Sequence, residues 1–347
     1  MRFSAIVNTH NRCEYALEAI QSVLNQTYPV HETIVICDGC TDDTAQRVRE
    51  KFPDVTVFEQ PDLGRSVARN TGISLATGEW ICFLDDDDLW HRDKLATIVE
   101  YHQKNPTALA MNHPAWYFSN EENGPDHYVC YARDLVAHDL DECHRLVENG
   151  LESLNSYEYL KVKGNSFGLV MESARGIISS SVVQRDLLVR AGGFCPMQSY
   201  GEDWTMFLNV ARLTEWHTIP RWLGFARLHS SQSTNKNECA NMVHILAGKV
   251  NAWYTGCPMQ QPLGEAELRR ELKKYGPVYR ADIQSYYWTA LRSRDLRSAK
   301  IIWSLGKLLL PSGKDRAYAL TPPPLTWRCE RLASKLHVLF MLYMSAN

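Results

Sequence analysis

The sequence predicts an α/β fold, a Rossmann-like, mostly parallel sheet with helices on both faces, followed by a helical C-terminal region. Three observations point there. The first hundred residues alternate short β-branched runs with amphipathic stretches, at the spacing of βα units. Beyond about residue 235 the pattern is helical. The 347 residues are 45% hydrophobic and 22% charged, which leaves room for one large domain and an appendage.

"FSAIVNT" (3–9) reads as the first strand, and Cys13 to Asn25 as a helix. "ETIVIC" (32–37) is the second strand; "TDDTAQRVREKF" then opens a helix with Thr41 as cap and an acidic first turn. "VTVFEQ" (55–60) is the third strand, followed by a helix from Gly64 to Ala76. "EWICFL" (79–84) is the fourth, followed by a helix from about Arg92 to Gln103. Residues 105–200 are less regular and rich in aromatics. A helix is expected over Gly201 to Leu213, then short strands around 216–219 and 224–229. The expected division is one α/β domain over 1–235 and a helical region over 236–347.

Charge marks the same division. From residue 265 onward there are 15 Lys and Arg against 7 Asp and Glu, whereas the rest of the chain has 22 against 33. An acidic body with a basic tail region is a boundary signal. The opening "MRFSAIVNTHNR" is too poor in apolar residues for a signal peptide, and no segment reaches the length of a spanning helix, so the cytoplasm is the expected compartment. Ten cysteines, mostly scattered singly, fit a reduced setting. Cys37 and Cys40 form the one C-x-x-C, and without a second pair it makes a poor zinc site.

In a parallel sheet, ligands bind at the carboxyl ends of the strands. Here those ends are Thr9–Arg12, Cys37–Gly39 and the run Asp85 to Asp88. Four consecutive carboxylates at a strand end repel one another, so either a cation belongs there or the side chains diverge into solvent. No G-x-G-x-x-G follows the first strand, which argues against a dinucleotide site. Arg65 and Arg69 lie four apart on one helix face. A rim of carboxylates, guanidiniums and a cation suits a nucleoside diphosphate: Asp38 accepting from the base, a metal on the phosphate oxygens, Arg adding bidentate contacts.

The stretches "IVNTHNR", "ICDGCTDDT", "GRSVARNTGISLATGEWICFLDDDDLW", "AGGF", "YGEDW" and "RLHSSQST" resemble, in order and spacing, the family 2 glycosyltransferases of the GT-A fold. The resemblance covers about two thirds of the chain and makes 1–235 the expected catalytic domain. It implies that Thr9 and Asp38 hold the nucleoside, with Asn11 and Arg12 beside them on the donor side. Asp85 faces the ribose or sugar, Asp87 ligates the metal, and Arg69 lies near the diphosphate. Asp86 is placed with the donor residues, although Asp86 and Asp88 can equally cap the following turn. Asp203 matches the catalytic base, preferred over Glu202, and His229 a histidine that can complete the metal shell. Mn2+ or Mg2+ is the expected cofactor. His10, Cys37, Cys40 and His91 depart from the family pattern without removing a charged catalytic group.

The function so implied is inverting, metal-dependent transfer from a nucleotide-sugar to a glycan or lipid-linked acceptor. UDP-sugar is the expected donor, or dTDP-sugar, because Asp38 suits an N3–H that cytosine lacks. Trp116 and Tyr117 can stack on a sugar or fill a core. No nucleic-acid partner is expected. "SAKIIWSLGKLLL" (298–310) puts Ile302, Leu305 and Leu309 on one stripe with Lys300 and Lys307 nearby, which suggests peripheral contact of the basic C-terminal helices with a membrane. Two other classes remain: a non-catalytic nucleotide-sugar-binding module, and a phosphohydrolase using the strand-end Asp85-x-Asp87. The latter normally closes a first strand, not a fourth.

Overall fold

A computed structural model describes residues 1–119, 128–130, 135–137, 170, 176–198, 200–229, 238–254, 265–310 and 312–320. The chain divides into two compact units, residues 1–236 with 254–262, and residues 237–253 with 263–347.

The first unit opens as β1 (Phe3–Thr9), α1 (Cys13–Leu24), β2 (Glu32–Asp38), α2 (Thr44–Lys51), β3 (Thr56–Gln60), α3 (Arg65–Leu75) and β4 (Trp80–Asp85). β1, β2 and β4 read as near-continuous apolar runs because both faces are covered, whereas β3, at the sheet edge, is largely exposed. Ala5, Ile6, Val7, Val35, Ile36, Cys82, Phe83 and Leu84 are all buried. Burying one such Val, Leu, Ile or Phe side chain is worth roughly 1.5–3 kcal/mol. Gly72 lets α3 sit tight on β1, since a Cβ there would lie 2.5 Å from Ile6 Cγ2.

Next come β5 (Leu89–Trp90), α4 (Lys94–Lys104), β6 (Ala110–Asn112), β7 (Trp116–Ser119), β8 (Tyr128–Cys130) and β9 (Leu135–Ala137). A 3-10 turn (Ile178–Ser180) leads into β10 (Val182–Gln184) and α5 (Arg185–Arg190). The unit continues with α6 (Glu202–Ala211), β11 (Trp216–Thr218) and β12 (Gly224–Arg227). Seven strands form one sheet in the order β11-β6-β10-β4-β1-β2-β3. Within it β1, β2, β3 and β4 pair in parallel, and β10 runs antiparallel between β4 and β6. Sheet order reverses at β1, flanked by β2 on one side and β4 on the other. This is the switch point where α/β sheets open a crevice. A second sheet, β5-β12-β7-β8-β9, lies outside the expected pattern. Its short strands fall largely in the stretch read as irregular, too brief for a period of two to register.

In the second unit, α7 (Glu238–Tyr254), α8 (Glu265–Arg292), α9 (Leu296–Leu309) and α10 (Gly313–Leu320) are helical as expected. Ile302 and Leu309 are buried. A Cβ on Gly306 would stand 2.8 Å from Ile283, so that stripe of α9 packs against α8. Lys249 Nζ donates to Asp282 Oδ2 at 2.7 Å, tying α7 to α8. Among the described residues no helix is long and apolar enough to cross a membrane.

Candidate active site

The candidate site lies where β1, β2 and β4 end. Strand register sets Asn8 beside Asp85 and Thr9 beside Cys37, so Thr9, Asp38 and the acidic run share one rim. The acidic run forms a tight turn, closed by Asp88 N donating to Asp85 O at 3.1 Å. Its carboxylates point in different directions and each has a specific partner.

Asp85 Oδ1 accepts from Arg69 Nη2 at 2.7 Å, and Arg69 Nη1 donates to Glu202 Oε1 at 2.7 Å. Asp86 and Asp87 both accept from Arg12 Nη1, at 3.1 and 2.8 Å. His229 Nε2 lies 3.0 Å from Asp87 Oδ2. Asp88 turns inward, accepting from Ser179 Oγ at 2.5 Å and from Arg227 N at 3.1 Å. Ser179 Oγ also accepts from Asp85 N at 3.0 Å, so one hydroxyl pins both ends of the turn. Asp86 and Asp88 are both buried acceptors.

Burial and the adjacent Asp87 push Asp86 up to about 7. Burial and the charges of Asp87 and Asp85 raise Asp88 well above the usual carboxylate range. Burial acts the same way on Asp87, but His229 and Arg12 outweigh it and hold that carboxyl below its ordinary value. Carboxylate oxygens of Asp85, Asp87 and Asp88 lie within 4.8 Å of one another. With the His229 imidazole adjoining, this oxygen-rich set fits a divalent ion such as Mg2+ or Mn2+.

Asp203 stands in the first turn of α6, after Gly201. Its Oδ1 accepts from Trp204 N at 2.7 Å. Burial and neighbouring Glu202 push its carboxyl up to about 6. Glu202 is itself buried and held by Arg69 and, at 3.6 Å, by Arg65 Nε. Of the two acids, Asp203 is the less encumbered.

Asp38 is buried at the end of β2, its Oδ1 accepting from Gln60 Nε2 at 2.8 Å and from Leu63 N at 3.0 Å. Asn11 adopts φ +54°, a left-handed backbone that Asn tolerates. Its Oδ1 accepts from Thr41 N at 2.7 Å and Asp42 N at 3.2 Å, and so holds the loop before α2. Arg69 is 2% exposed and committed to two carboxylates. Trp116 is buried with its ring 4.5 Å from that of Trp222, and so fills the core of the second sheet. The side chain of Tyr117 lies outside the described ones.

Three residues of this site had no reading in the sequence. Arg227 donates from Nε to Asp87 O at 3.0 Å and from Nη2 to Glu18, with its guanidinium 4.5 Å from the Tyr15 ring centroid and 4.7 Å from that of Phe118. Lys94 is buried over the Trp90 ring, donates to Ser179 O at 2.7 Å, and is lowered by burial to about 7. Ser179 completes the group. Arg227 was legible in principle, because it lies in "RLHSSQST" two residues before His229. Nothing in the stretch around Ser179 marked it.

Residues 4–153 match the profile described as Glycosyl transferase family 2. An uncharacterized glycosyltransferase of Rickettsia bellii (strain RML369-C) is 36% identical over 238 residues, covering 68% of this chain and 30% of that protein. The chain spans between 20% and 36% of the length of four curated relatives that it matches. S. aureus TarS 1-349 in complex with UDP-GlcNAc is similar with a TM-score of 0.53 at 13% identity, over 87% of this chain and 90% of that one. Mannosyltransferase PcManGT from Pyrobaculum calidifontis, in complex with GDP-Man and Mn2+, is similar with a TM-score of 0.52 at 19% identity, over 92% of this chain and 85% of that one. At such identities the likeness to the two solved structures is one of fold.

Proposed function

We propose, from the premise that this chain carries a family 2 glycosyltransferase domain over residues 4–153, that it moves a sugar from a nucleotide-sugar to an acceptor hydroxyl with inversion. The donor is a UDP-sugar, or a dTDP-sugar. The acceptor is a glycan or a lipid-linked glycan precursor.

One observation carries the reading. The rim that holds Asp38 and the Asp85–Asp88 turn also holds, through Arg69, a carboxylate pair of which one member is left to act as a base. Asp38 accepts from the base of the nucleotide, with Thr9 beside it, and Arg12 lies within reach of the donor diphosphate. Asp85, Asp87 and His229 hold a divalent ion, Mn2+ or Mg2+, which when bound offsets negative charge on the departing diphosphate. Asp203 takes the proton of the acceptor hydroxyl as its oxygen bonds to the anomeric carbon. The bond from that carbon to the diphosphate oxygen breaks, and the nucleoside diphosphate leaves with the electron pair. Arg69 keeps Asp85 and Glu202 in place instead of touching phosphate directly.

A cytoplasmic setting, with peripheral contact to the inner face of the membrane, accompanies this reading. The exposed Arg297, Lys300 and Lys307 of α9 support it, whereas the stripe of Ile302 and Leu309 is already buried.

The test is Asp203→Asn in the full chain. UDP is expected to bind as in the wild type while transfer falls by about 10²–10⁴-fold. Transfer at the wild-type rate would remove Asp203 from the mechanism. Nucleotide binding with no turnover in either protein would make the chain a binding module.

A further inference from the structure

The carboxylate of Asp38 is held from behind by a relay that starts on α3. Thr71 Oγ1 donates to Gln60 Oε1 at 2.8 Å, and Gln60 Nε2 donates to Asp38 Oδ1 at 2.8 Å. Leu63 N donates to the same oxygen at 3.0 Å. The backbone is fixed as well: Gly39 N donates to Gln60 O at 2.8 Å, and His10 Nδ1 donates to Asp38 O at 2.6 Å. Gly39 has φ +71°, and a Cβ there would stand 2.5 Å from Asp62 Cβ, so the 60–63 loop closes directly onto the end of β2.

The chemistry of the relay has one direction. An ionised carboxylate only accepts, so Gln60 must turn its NH2 toward Asp38 and its oxygen toward Thr71, whose hydroxyl then donates. With two N–H groups on Oδ1, Oδ2 is the oxygen left to meet a ligand, and it meets it as an acceptor. Uracil and thymine offer N3–H to such an oxygen. Cytosine in the same register sets a bare N3 against Oδ2, with its N4 amino group one position away, and two acceptors facing each other in a buried site leave both unsatisfied.

We propose that Gln60, oriented by Thr71, is the specificity-determining positioning residue that makes this site select a base with a ring N–H at this position and reject cytosine. The inference rests on the reading of Asp38 as the base contact and adds what sets its orientation.

The experiment is calorimetric titration of the full chain with UDP and with CDP, each with Mn2+, for the wild type, Gln60→Leu, Thr71→Val and Asp38→Ala. In the wild type UDP is expected to bind at least about tenfold tighter than CDP. That ratio should fall about three- to tenfold in Gln60→Leu and by less in Thr71→Val, with UDP weakened and CDP unchanged or tightened. Equal weakening of both nucleotides by Gln60→Leu would mean that the residue only shapes the loop, and would overturn the proposal. Should Gln60→Leu fail to fold, an unchanged ratio in Thr71→Val overturns it equally. UDP affinity that survives Asp38→Ala would instead defeat the donor reading beneath it.

Discussion

Glu202 and Asp203 are adjacent acids in one helical turn, yet their surroundings give them different work. Glu202 is locked between two guanidiniums, and Asp203 carries a carboxyl raised to about 6 by burial and by Glu202. As the proposed base, Asp203 must be ionised to take a proton, so activity should fall about tenfold per pH unit below 6 and be flat above it until another group titrates. A pH profile of kcat/KM checks this. Glu202→Gln removes the second cause of the shift, so the acid limb should move to lower pH. The same change strips Arg69 of one buried partner and should cost about 3 kcal/mol in urea unfolding. The strand-end run Asp85 to Asp88 stood out in the sequence as like charge in need of a partner, whereas Asp203 and His229 were singled out by the resemblance to family 2 glycosyltransferases. The sequence left Ser179 and Gln60 unread, because their work is contact: Ser179 meets Asp88 across 91 positions of sequence, and a serine or glutamine carries no local mark of such a meeting.

The turn after β4 shows how elements hold a site. Ser179 in the 3-10 turn donates to Asp88 and accepts from Asp85 N, so Ser179→Ala should loosen Mn2+ binding about three- to tenfold with little change in the UV circular dichroism. His91, between β5 and α4, is 2% exposed and accepts from Asp93 N at 3.2 Å through Nδ1, which must therefore stay unprotonated. Burial lowers it to about 4, whereas the unfolded chain titrates near 6.5. Between those values the unfolded state binds a proton that the folded state refuses. Stability from this group is complete above pH 6.5 and falls as pH drops, by about 3 kcal/mol at pH 4. Urea unfolding at pH 7 and 4.5 should show a smaller drop for His91→Gln than for the wild type. At this scale the first four strands and their helices were legible, since β1, β2 and β4 are buried parallel strands written as apolar runs and β3 is a β-branched run at the spacing of the next βα unit. Of the second sheet only β12, read at 224–229, was legible, because the other strands are short and Trp116 looks the same in a core as in a sugar site.

At the scale of the molecule, the acidic α/β portion and the basic helical portion differ in charge as they do in structure. Peripheral membrane contact predicts that the full chain floats with vesicles rich in anionic lipid and less so with neutral ones. Lys300→Glu with Lys307→Glu should abolish the difference, and equal recovery with both vesicle types would end that idea. In the proposed function the carboxylates of the acidic turn hold a divalent ion against the diphosphate of the donor. Calorimetric titration of UDP with and without Mn2+, in the wild type and in Asp87→Ala, tests it most directly. Tenfold or greater tightening by the metal in the wild type, lost in the variant, is the predicted result; UDP binding indifferent to Mn2+, or unaltered by Asp87→Ala, would contradict it.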